Sequence, residues 1–545
     1  MNSIRSEQRK TGAYYTPSAI AEYMTERLFA RRIDSVLEPS AGDGAFLKAV
    51  LSVAERFGYR APCITAVELS SHAIQRATAE IASPKINFVH SDFLLQSGSD
   101  FGAVIGNPPF VRLRHLPVVE RRRALSVAAD TLGHEMDPSG SVWMPFVLHA
   151  SRRLRKGGSL AMVLPLDATY VRYARPLWRF LSESFSDLRV VRVRQRLFPD
   201  LSQDVVLLFA DGAKGQTTTI RFEAFADLST LKSERSELRR DVNVADIVRG
   251  ERAFLSALLE PELQQLLEGP IAKRLVVAGQ LARFRIGYVA GDKDFFHPTR
   301  DIVRQYNIKR KHMIPTIASA RNLSRSGLFT SGICAAKREW LFLPTADTLS
   351  VGDREYIKFG ERSGVAAAYK CRVRSPWYTV PYVTPPDIVM SVFSDRPLVA
   401  INDSRKAVSN SFLCGTVLQG TPEAFVCRWY NSLTLLQCEL NVHSLGGGVF
   451  VLVPREAAAV KLLASAPAPG RLLKRIDSAL KNANLVEAYE SGDHSVLHDR
   501  EGLSSNDIEL IQRGVATLRM WRNPSDRTES PLIEQVDEQF ALLEA

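Results

Sequence analysis

The sequence predicts an α/β fold: a doubly wound, Rossmann-like sheet in the N-terminal half, followed by a mixed α+β domain. Between residues 35 and 210, short apolar runs ending in polar or Gly/Pro turns alternate with helical patterns. This alternation is typical of strands in a buried, mainly parallel sheet. Beyond residue 225 the pattern becomes irregular, aromatic and rich in turns. The six candidate strands read SVLEPS, ITAVELS, INFVHSDF, AVIGNPPF, SLAMVLP and VVLLFADG.

The length and composition indicate a folded protein of several domains. A chain of 545 residues, 45% hydrophobic and 24% charged, has the balance of a globular protein and exceeds the usual size of one core. We expect an α/β domain over 1–230, a helical connector over 231–280, a mixed domain over 281–465 and a helical segment over 466–545. Residues 231–267 in particular have the pattern of a charged amphipathic helix.

The net charge of +11 favours a polyanionic partner, with a merely basic enzyme as the alternative. The six cysteines form no C-x-x-C pair, so neither a zinc knuckle nor a disulfide framework is indicated, and no metal is expected. The opening residues lack an apolar signal stretch, and no run approaches the roughly 18 apolar residues of a membrane helix. The sequence therefore predicts a cytoplasmic protein without a membrane partner.

Three strand ends suggest a nucleoside cofactor. The first strand runs into Glu38-Pro39-Ser40-Ala41-Gly42-Asp43-Gly44, where glycines let the backbone approach a ligand closely, a plain loop being the alternative. Glu68 closes the second strand, where doubly wound nucleotide sites hold an acid for ribose hydroxyls. Asp92 and Phe93 follow the third strand and suit an adenine amino group and a purine face. A helix cap and a core residue are their alternatives.

The strand that ends at Gly106 is followed directly by Asn107-Pro108-Pro109-Phe110. An adenine exocyclic amine is a poor nucleophile because its lone pair is delocalised, so a catalyst must accept both of its N–H hydrogens. The Asn107 side-chain oxygen and the Pro108 carbonyl can be those acceptors on a backbone stiffened by Pro-Pro. Phe110 offers a face for a base swung out of a duplex. A rigid turn is the alternative for an isolated Asn-Pro-Pro.

In this order the motifs resemble the gamma class of amino-group DNA methyltransferases of restriction and modification systems, over about Thr11 to Pro454. The resemblance implies a Rossmann-like methyltransferase domain followed by a DNA-recognition domain. It also implies S-adenosylmethionine as methyl donor, double-stranded DNA as partner, and base flipping that presents an adenine N6 amine. A cognate restriction endonuclease encoded separately and a bacterial or archaeal, nucleoid-associated location are further expectations.

The same resemblance assigns several further residues. The Thr11–Pro17 stretch is similar to the family's N-terminal element and implies that Thr16 lies by the methionine end of the cofactor. The Trp143–Phe146 stretch is similar to the segment at the adenine rim, which implies a cofactor contact for Phe146. Leu197-Phe198-Pro199 resembles the segment that supplies a second stacking ring, Phe198. For both rings a core position is the alternative. Phe110 replaces the family's usual tyrosine.

The C-terminal half mixes cations with aromatics, as DNA-contacting surfaces do, with a solvated basic face as the alternative. Stretches 287–295, 314–315 and 446–448 resemble landmarks of the family's recognition region. The candidate DNA-binding residues are Arg310, Lys311, Arg321, Arg372, Arg374 and Trp377.

Other functions remain open at this point. Methylation of cytosine N4, of RNA or of a protein glutamine suits the same Asn-Pro-Pro chemistry, although about 300 residues after the catalytic core favour a DNA reader. A DNA-binding subunit without catalysis is the alternative from another class. A fused nuclease is not expected, because no convincing cluster of metal-binding carboxylates with a lysine is found.

Overall fold

The computed structural model describes residues 15–523 except 99, 199–203, 320–322, 324–325, 334–338, 392, 395, 445–449 and 466–468. The chain divides into two compact units, Met1–Leu258 and Leu259–Ala545. The bounds of the four segments expected from the sequence remain a prediction. Of the residues singled out above, Thr11 to Tyr14, Pro199, Arg321 and Gly446 to Gly448 lie outside the described residues.

A nine-stranded sheet in the first unit confirms the predicted α/β fold. Its strands follow the order β3-β2-β1-β4-β5-β7-β6-β8-β9. Strands β1 to β5 run parallel, whereas β7 is antiparallel to both β5 and β6. The strands are β1 Ser35–Glu38, β2 Cys63–Glu68, β3 Ile86–His90, β4 Phe101–Gly106, β5 Leu154–Pro165, β6 Phe185–Val193, β7 Val205–Ala213, β8 Thr219–Phe225 and β9 Leu238–Asn243.

The chain reverses its direction across this sheet between β1 and β4. It first builds β2 and β3 on one side of β1, then places β4 and β5 on the other. Ligands of doubly wound folds bind outside the carboxyl ends of strands at such a reversal. The helices of this unit are α1 Ser18–Leu28, α2 Ala45–Arg56, α3 Ser71–Glu80, α4 Val118–Leu132, α5 Trp143–Ser151, α6 Arg175–Ser184, α7 Leu228–Lys232, α8 Val244–Arg249 and α9 Ala253–Ser256.

The helix predicted over 231–267 is wrong for Leu238–Asn243, which form a strand. Strand β9 occupies Leu238–Asn243 and pairs antiparallel with β8, so the sheet extends further than the sequence pattern indicated. Five of the seven residues at 234–240 are charged, and this composition gave the stretch the appearance of a solvated helix. An open sheet edge offers unpaired backbone groups, and pairing with it overrides local preference.

Smaller sheets and helices build the second unit, as the mixed α+β prediction anticipated. The sheets have the strand orders β10-β21, β11-β18-β14-β16, β13-β12-β17 and β15-β20-β19. The strands are β10 Leu275–Val277, β11 Ala282–Ile286, β12 Met313–Ile317, β13 Trp340–Phe342, β14 Ile388–Ser391, β15 Phe393–Ser394, β16 Val399–Ile401, β17 Ala407–Val408, β18 Phe412–Val417, β19 His443–Ser444, β20 Phe450–Val451 and β21 Lys461–Leu463.

The helices of the second unit concentrate towards the end of the chain. The α-helices are α10 Pro261–Glu268, α11 Ala278–Leu281, α12 Lys293–Phe296, α13 Arg300–Gln305, α14 Val351–Arg362, α15 Tyr369–Arg372, α16 Pro422–Trp429, α17 Ser432–Asn441, α18 Pro454–Ala459, α19 Gly470–Lys481, α20 Leu485–Gly492 and α21 Ser505–Arg522. A π-helical turn over Asp493–His498 separates α20 from α21.

A buried ion pair joins α17 to α21. The Arg522 Nε and Nη2 atoms donate to the two oxygens of Glu439 at 2.8 and 2.9 Å, and both side chains are buried. The guanidinium also lies 5.3 Å from the ring centre of Phe450. Because both side chains are buried, removal of either one costs the other this ion pair where water cannot replace it.

We therefore expect Glu439→Ala to lower the free energy of unfolding of the second unit by about 3 to 5 kcal/mol. Urea unfolding followed by circular dichroism measures the change. The matched control is Glu355→Ala, which breaks the exposed Lys358–Glu355 pair of α14 and should cost at most about 1 kcal/mol. Equal effects of the two substitutions would contradict a structural role for the buried pair.

Candidate active site

The carboxyl ends of β1 to β4 bring the predicted cofactor and catalytic residues to one edge of the sheet. Glu38 is the last residue of β1, Glu68 the last of β2, and Asn107 follows the last residue of β4. Asp92 lies two residues beyond β3. The parallel pairing of these strands places the four side chains along the same edge, at the point where the strand order reverses.

The glycine loop after β1 is held by the acid at the end of β2. The Gly42 amide donates to Glu68 Oε2 at 2.9 Å, and the Ser70 amide donates to Glu68 Oε1 at 2.8 Å. The Ala41 amide donates to the carbonyl of Val67 at 3.0 Å. Each carboxylate oxygen keeps a second lone pair. Glu68 can therefore hold the loop and still accept from ribose hydroxyls.

The two glycines of the loop serve different purposes. Both have left-handed backbone, with φ of 54° at Gly42 and 78° at Gly44. A Cβ added to Gly44 would lie 2.5 Å from Ile81 Cδ1, so this glycine allows close packing of α2. A Cβ added to Gly42 would meet nothing within 4 Å. The open space beside Gly42 is where a ligand can approach the backbone.

Glu38 carries an unsatisfied carboxylate oxygen at the base of this loop. Its side chain is 2% exposed, and Oε2 is buried without a hydrogen-bond partner among the described residues. Burial, with smaller contributions from Asp43 and Glu68, raises the pKa of Glu38 well above its usual value. An unpaired buried acceptor is costly, and a ligand that donates a hydrogen bond relieves that cost. The site thus fits a cofactor with a donor group, such as the ammonium of S-adenosylmethionine.

Asn107 is oriented by two hydrogen bonds that connect it to the N-terminal segment and the glycine loop. Its Nδ2 donates to Thr16 Oγ1 at 3.3 Å, which directs the nitrogen end of the amide towards Thr16. The Ser40 hydroxyl donates to the Asn107 carbonyl at 3.0 Å. Asn107 is half-buried and Pro108 is buried. The structure therefore brings Thr16, the cofactor loop and the Asn-Pro-Pro motif together.

Asp92 has two local partners. Its Oδ1 accepts from the Leu94 amide at 2.9 Å, and its Oδ2 pairs with Arg123. The capping role, which was the structural alternative for this residue, is thus present. Contact with a cofactor adenine remains a prediction.

The predicted cofactor rings Phe93 and Phe146 pack against each other. Their ring centres are 5.3 Å apart, and the ring of His149 lies 4.9 Å from that of Phe93. Phe93 is 2% exposed and Phe146 is 8% exposed. Burial followed by the charge of Arg153 lowers the pKa of His149 to about 4, so its imidazole is neutral near pH 7. Both rings have a core role, and a purine contact stays a prediction.

Phe110 and Phe198, the predicted base-stacking rings, belong to one apolar cluster. Phe198 is buried within this cluster, and the half-buried Phe110 packs against it. The cluster also contains Val193 and Val205, which lie on β6 and β7. The fold therefore brings the two rings into one region, while stacking on a base remains a prediction.

The predicted DNA-binding residues divide into exposed and internally bonded side chains. Arg310, Lys311 and Arg372 are exposed, and the Arg310 guanidinium lies 5.5 Å from the ring centre of Trp340. Arg374 instead donates to the backbone carbonyls of Val289, Ala290 and Thr379.

Trp377 also has partners within the second unit. Its ring lies 5.2 Å from that of Phe295, and its Nε1 donates to Glu361. These contacts favour internal roles for Arg374 and Trp377, whereas Arg310, Lys311 and Arg372 are exposed and their contact with DNA stays a prediction.

Asp167 is a half-buried carboxylate that the sequence analysis missed. It lies two residues beyond β5, the parallel neighbour of β4, so it shares the edge that carries Asn107. Its Oδ2 pairs with Arg112 at 3.6 Å, and its buried Oδ1 has no partner among the described residues. Burial raises the pKa of Asp167 above its usual value. The strand-end rule that selected Glu68 could have found it, had β5 been followed past Pro165.

Comparison with known families identifies the first unit. The N-6 DNA Methylase family matches residues 1–254, and the C-terminal domain of Type II methyltransferase M.Eco57I matches residues 251–497. Residues 1–254 belong to the N-6 DNA methylase family. The protein is therefore an adenine-N6 DNA methyltransferase with S-adenosylmethionine as methyl donor. This confirms the activity and donor expected from the motif order, while membership of the gamma class remains a prediction.

Relatives by sequence include Type II methyltransferases. Type II methyltransferase M.AccI of Acinetobacter calcoaceticus is 22% identical over 428 residues, which covers 76% of this chain and 77% of that protein. Type II methyltransferase M.TthHB8I of Thermus thermophilus is 29% identical over 221 residues, covering 38% of this chain and 46% of that protein.

A solved structure is similar in fold. The Type IIL restriction-modification enzyme MmeI, determined in complex with DNA, matches 99% of this chain and 75% of its own at 12% identity and a TM-score of 0.50. Within the part of the chain that the structure describes, none of the helices combines the length and apolar character needed to cross a bilayer.

The raised pKa of Glu38 gives a test of its role. Glu38 is protonated more readily in the folded chain than in the unfolded chain, because its pKa is raised on folding. It therefore favours folding at acidic pH. This contribution to stability is lost as the pH rises from the ordinary glutamate pKa through the raised one. Glu38→Gln should therefore raise Tm at pH 8 relative to the parent and leave it nearly unchanged at pH 4.

The same substitution should weaken S-adenosylmethionine binding by roughly 10- to 100-fold, the loss expected for a hydrogen bond to a charged group. Thermal unfolding across pH and calorimetric titration of the cofactor provide the two measurements. Unchanged cofactor affinity would remove Glu38 from the binding site. Tm profiles that run parallel for the parent and the variant would contradict the raised pKa of Glu38.

Proposed function

We propose that this protein is the modification methyltransferase of a restriction-modification system, and that it methylates an adenine swung out of double-stranded DNA. The orientation of Asn107 carries this proposal. Thr16 and Ser40 hold the residue at the end of β4, beside the glycine loop and the unsatisfied Glu38. The acceptor for a base amine therefore lies next to the loop and the carboxylate that suit the methyl donor.

Asn107 and Pro108 act on the target amine by accepting its two N–H hydrogens. The Thr16 contact uses the amide nitrogen of Asn107, so the opposite end of that amide is an acceptor. As the amine nitrogen attacks, its lone pair leaves the ring and positive charge develops on it. Fixed acceptor oxygens stabilise that charge without reorganisation. S-adenosylmethionine, when bound, supplies the electrophilic methyl group.

The remaining residues of the edge hold the cofactor and the base. We assign Glu68 to the ribose hydroxyls, Glu38 to the methionine ammonium, and Asp92 to the cofactor adenine amine. Phe110 and Phe198 form the apolar side of the target-base pocket. No residue here must take the departing proton ahead of water, and no metal is required.

The second unit reads DNA in this proposal. The match of residues 251–497 to the M.Eco57I C-terminal domain and the exposed Arg310, Lys311 and Arg372 support this assignment. Modification enzymes of this kind act with a cognate endonuclease, and we propose one for this chain together with a cytoplasmic, nucleoid-associated location. Methylation of cytosine N4, RNA or glutamine is less well supported, because the N-6 DNA methylase match specifies both the amine and the polymer.

Asn107→Ala should reduce methyl transfer by roughly 100- to 1,000-fold or more, because one of two fixed acceptors is removed. Incorporation of labelled methyl groups into mixed genomic DNA measures the rate. Calorimetric titration should give unchanged cofactor affinity.

Asn87→Ala provides the control, since Asn87 is an exposed asparagine on β3 of the same unit. It should leave the rate as in the parent protein. Near-normal turnover in Asn107→Ala would refute the catalytic assignment. Label recovered in cytosine instead of adenine would refute the target base.

A further inference from the structure

A positively charged stretch follows the Asn-Pro-Pro-Phe motif without interruption. We call residues 111–123 the basic segment; its sequence is VRLRHLPVVERRR. It contains five arginines and one histidine against the single acid Glu120. Neither its charge nor its two adjacent valines is used by the chemistry described above.

Both ends of the basic segment are fastened to the edge of the sheet that carries the active site. Arg112 pairs with Asp167 beyond β5, and Arg123 pairs with Asp92 beyond β3. Strands β3 and β5 are four positions apart in the sheet, roughly 19 Å, with the ends of β2, β1 and β4 between them. The segment therefore extends along the same edge as Asn107.

Backbone hydrogen bonds fix the first part of the segment. The Leu113 amide donates to the Gly140 carbonyl at 3.0 Å, and the Val142 amide donates to the Val111 carbonyl at 2.9 Å. The Leu113 side chain is fully buried. The segment is thus a preorganised surface, which spares the entropy of ordering it on binding.

The middle of the segment presents cations to solvent. Arg114 and Arg122 are exposed and Arg121 is half-buried. Arg112 and Arg123 have ion-pair partners, but for these three arginines no carboxylate partner occurs among the described residues. Cations that are held on a rigid surface without a counter-charge suit the phosphates of a nucleic acid.

Two valines stand between these cations. Val118 and Val119 open α4 directly after Pro117 and are 57% and 66% exposed. Val119 is the most exposed large apolar side chain described in the first unit. Proteins that open DNA insert such apolar side chains between base steps while neighbouring arginines hold the backbone.

We propose that the basic segment is a DNA wedge in which Val118 and Val119 enter the duplex at the target step while Arg114, Arg121 and Arg122 bind the flanking phosphates. The two valine side chains then occupy the space that the extruded adenine leaves in the duplex. This inference rests on the proposed function, because it requires an adenine that leaves the duplex to reach Asn107.

Base extrusion by the valines is tested with full-length protein and a duplex that carries 2-aminopurine at the target adenine. The recognition sequence is first read from genomic DNA methylated by the parent protein. The double variant Val118→Ser/Val119→Ser should reduce the fluorescence rise on binding at least about 5-fold and lower kcat, with unchanged cofactor affinity. Val118→Leu/Val119→Leu should retain extrusion.

The control for the valines is Phe57→Ser. Phe57 is likewise an exposed apolar residue of the first unit, and it follows α2, which leads to the opposite, amino end of β2. This variant should behave as the parent protein in both fluorescence and kcat. A loss of the same size in Phe57→Ser would overturn the wedge, because the effect would not depend on the basic segment.

The arginines are tested by binding to a duplex without the recognition sequence. Arg114→Ala, Arg121→Ala and Arg122→Ala should each weaken binding and lower the slope of log affinity against log salt by about one for each phosphate that the variant no longer binds. The control is Arg60→Ala, a basic residue of the same unit in the loop between α2 and β2, which should keep the parent slope.

The outcomes separate the two proposals. If the parent protein methylates DNA while the serine variant keeps its fluorescence rise and kcat, the wedge is overturned and the proposed function stands. If the parent protein transfers no methyl group to DNA, the proposed function itself fails. Unchanged salt slopes in all three arginine variants overturn the phosphate contacts.

Discussion

The reversal of strand order between β1 and β4 is the constraint on which the candidate active site depends. Because β1 pairs in parallel with both β2 and β4, the carboxyl ends of the three strands lie at the same edge of the sheet. Each end carries one polar side chain of the site. The bond from the Gly42 amide to Glu68 then joins two of these ends. A sheet in another order would separate the cofactor loop from Asn107, although every motif would still be present in the chain.

Much of the first unit could be predicted, because its information is local. Three apolar runs lead to the polar residues Glu38, Glu68 and Asn107, and each such pattern predicts a strand with a polar side chain at its carboxyl end. The parallel pairing of the strands then determines where these side chains meet. The mixed character of the second unit was also predicted from its irregular pattern. In both units the predictable features depend on residues close together in sequence.

The features that could not be predicted from the sequence depend on partners that are far apart in the chain. Strand β9 has a charged sequence that forms a strand only because β8 offers an open edge. Arg374 has the composition of a DNA contact, yet carbonyls 84 and 85 residues earlier accept its guanidinium hydrogens. The Asp167–Arg112 pair joins residues that no periodicity relates. Composition gives the type of a side chain, and the fold determines which groups it meets.

The contact between Thr16 and Asn107 joins groups 91 residues apart and has a consequence for polarity. A primary amide has a donating and an accepting end of nearly equal size, so half a turn about its last bond exchanges them. In the structure the Nδ2 end of Asn107 faces the threonine hydroxyl, so Oδ1 lies at the other end of the amide. If the nitrogen end were presented instead, an amino group would meet hydrogens facing hydrogens, a repulsive encounter. The N-terminal segment therefore contributes to the orientation of the Asn107 side chain, and a chain shortened past residue 16 would keep the Asn-Pro-Pro-Phe sequence but lose this contact.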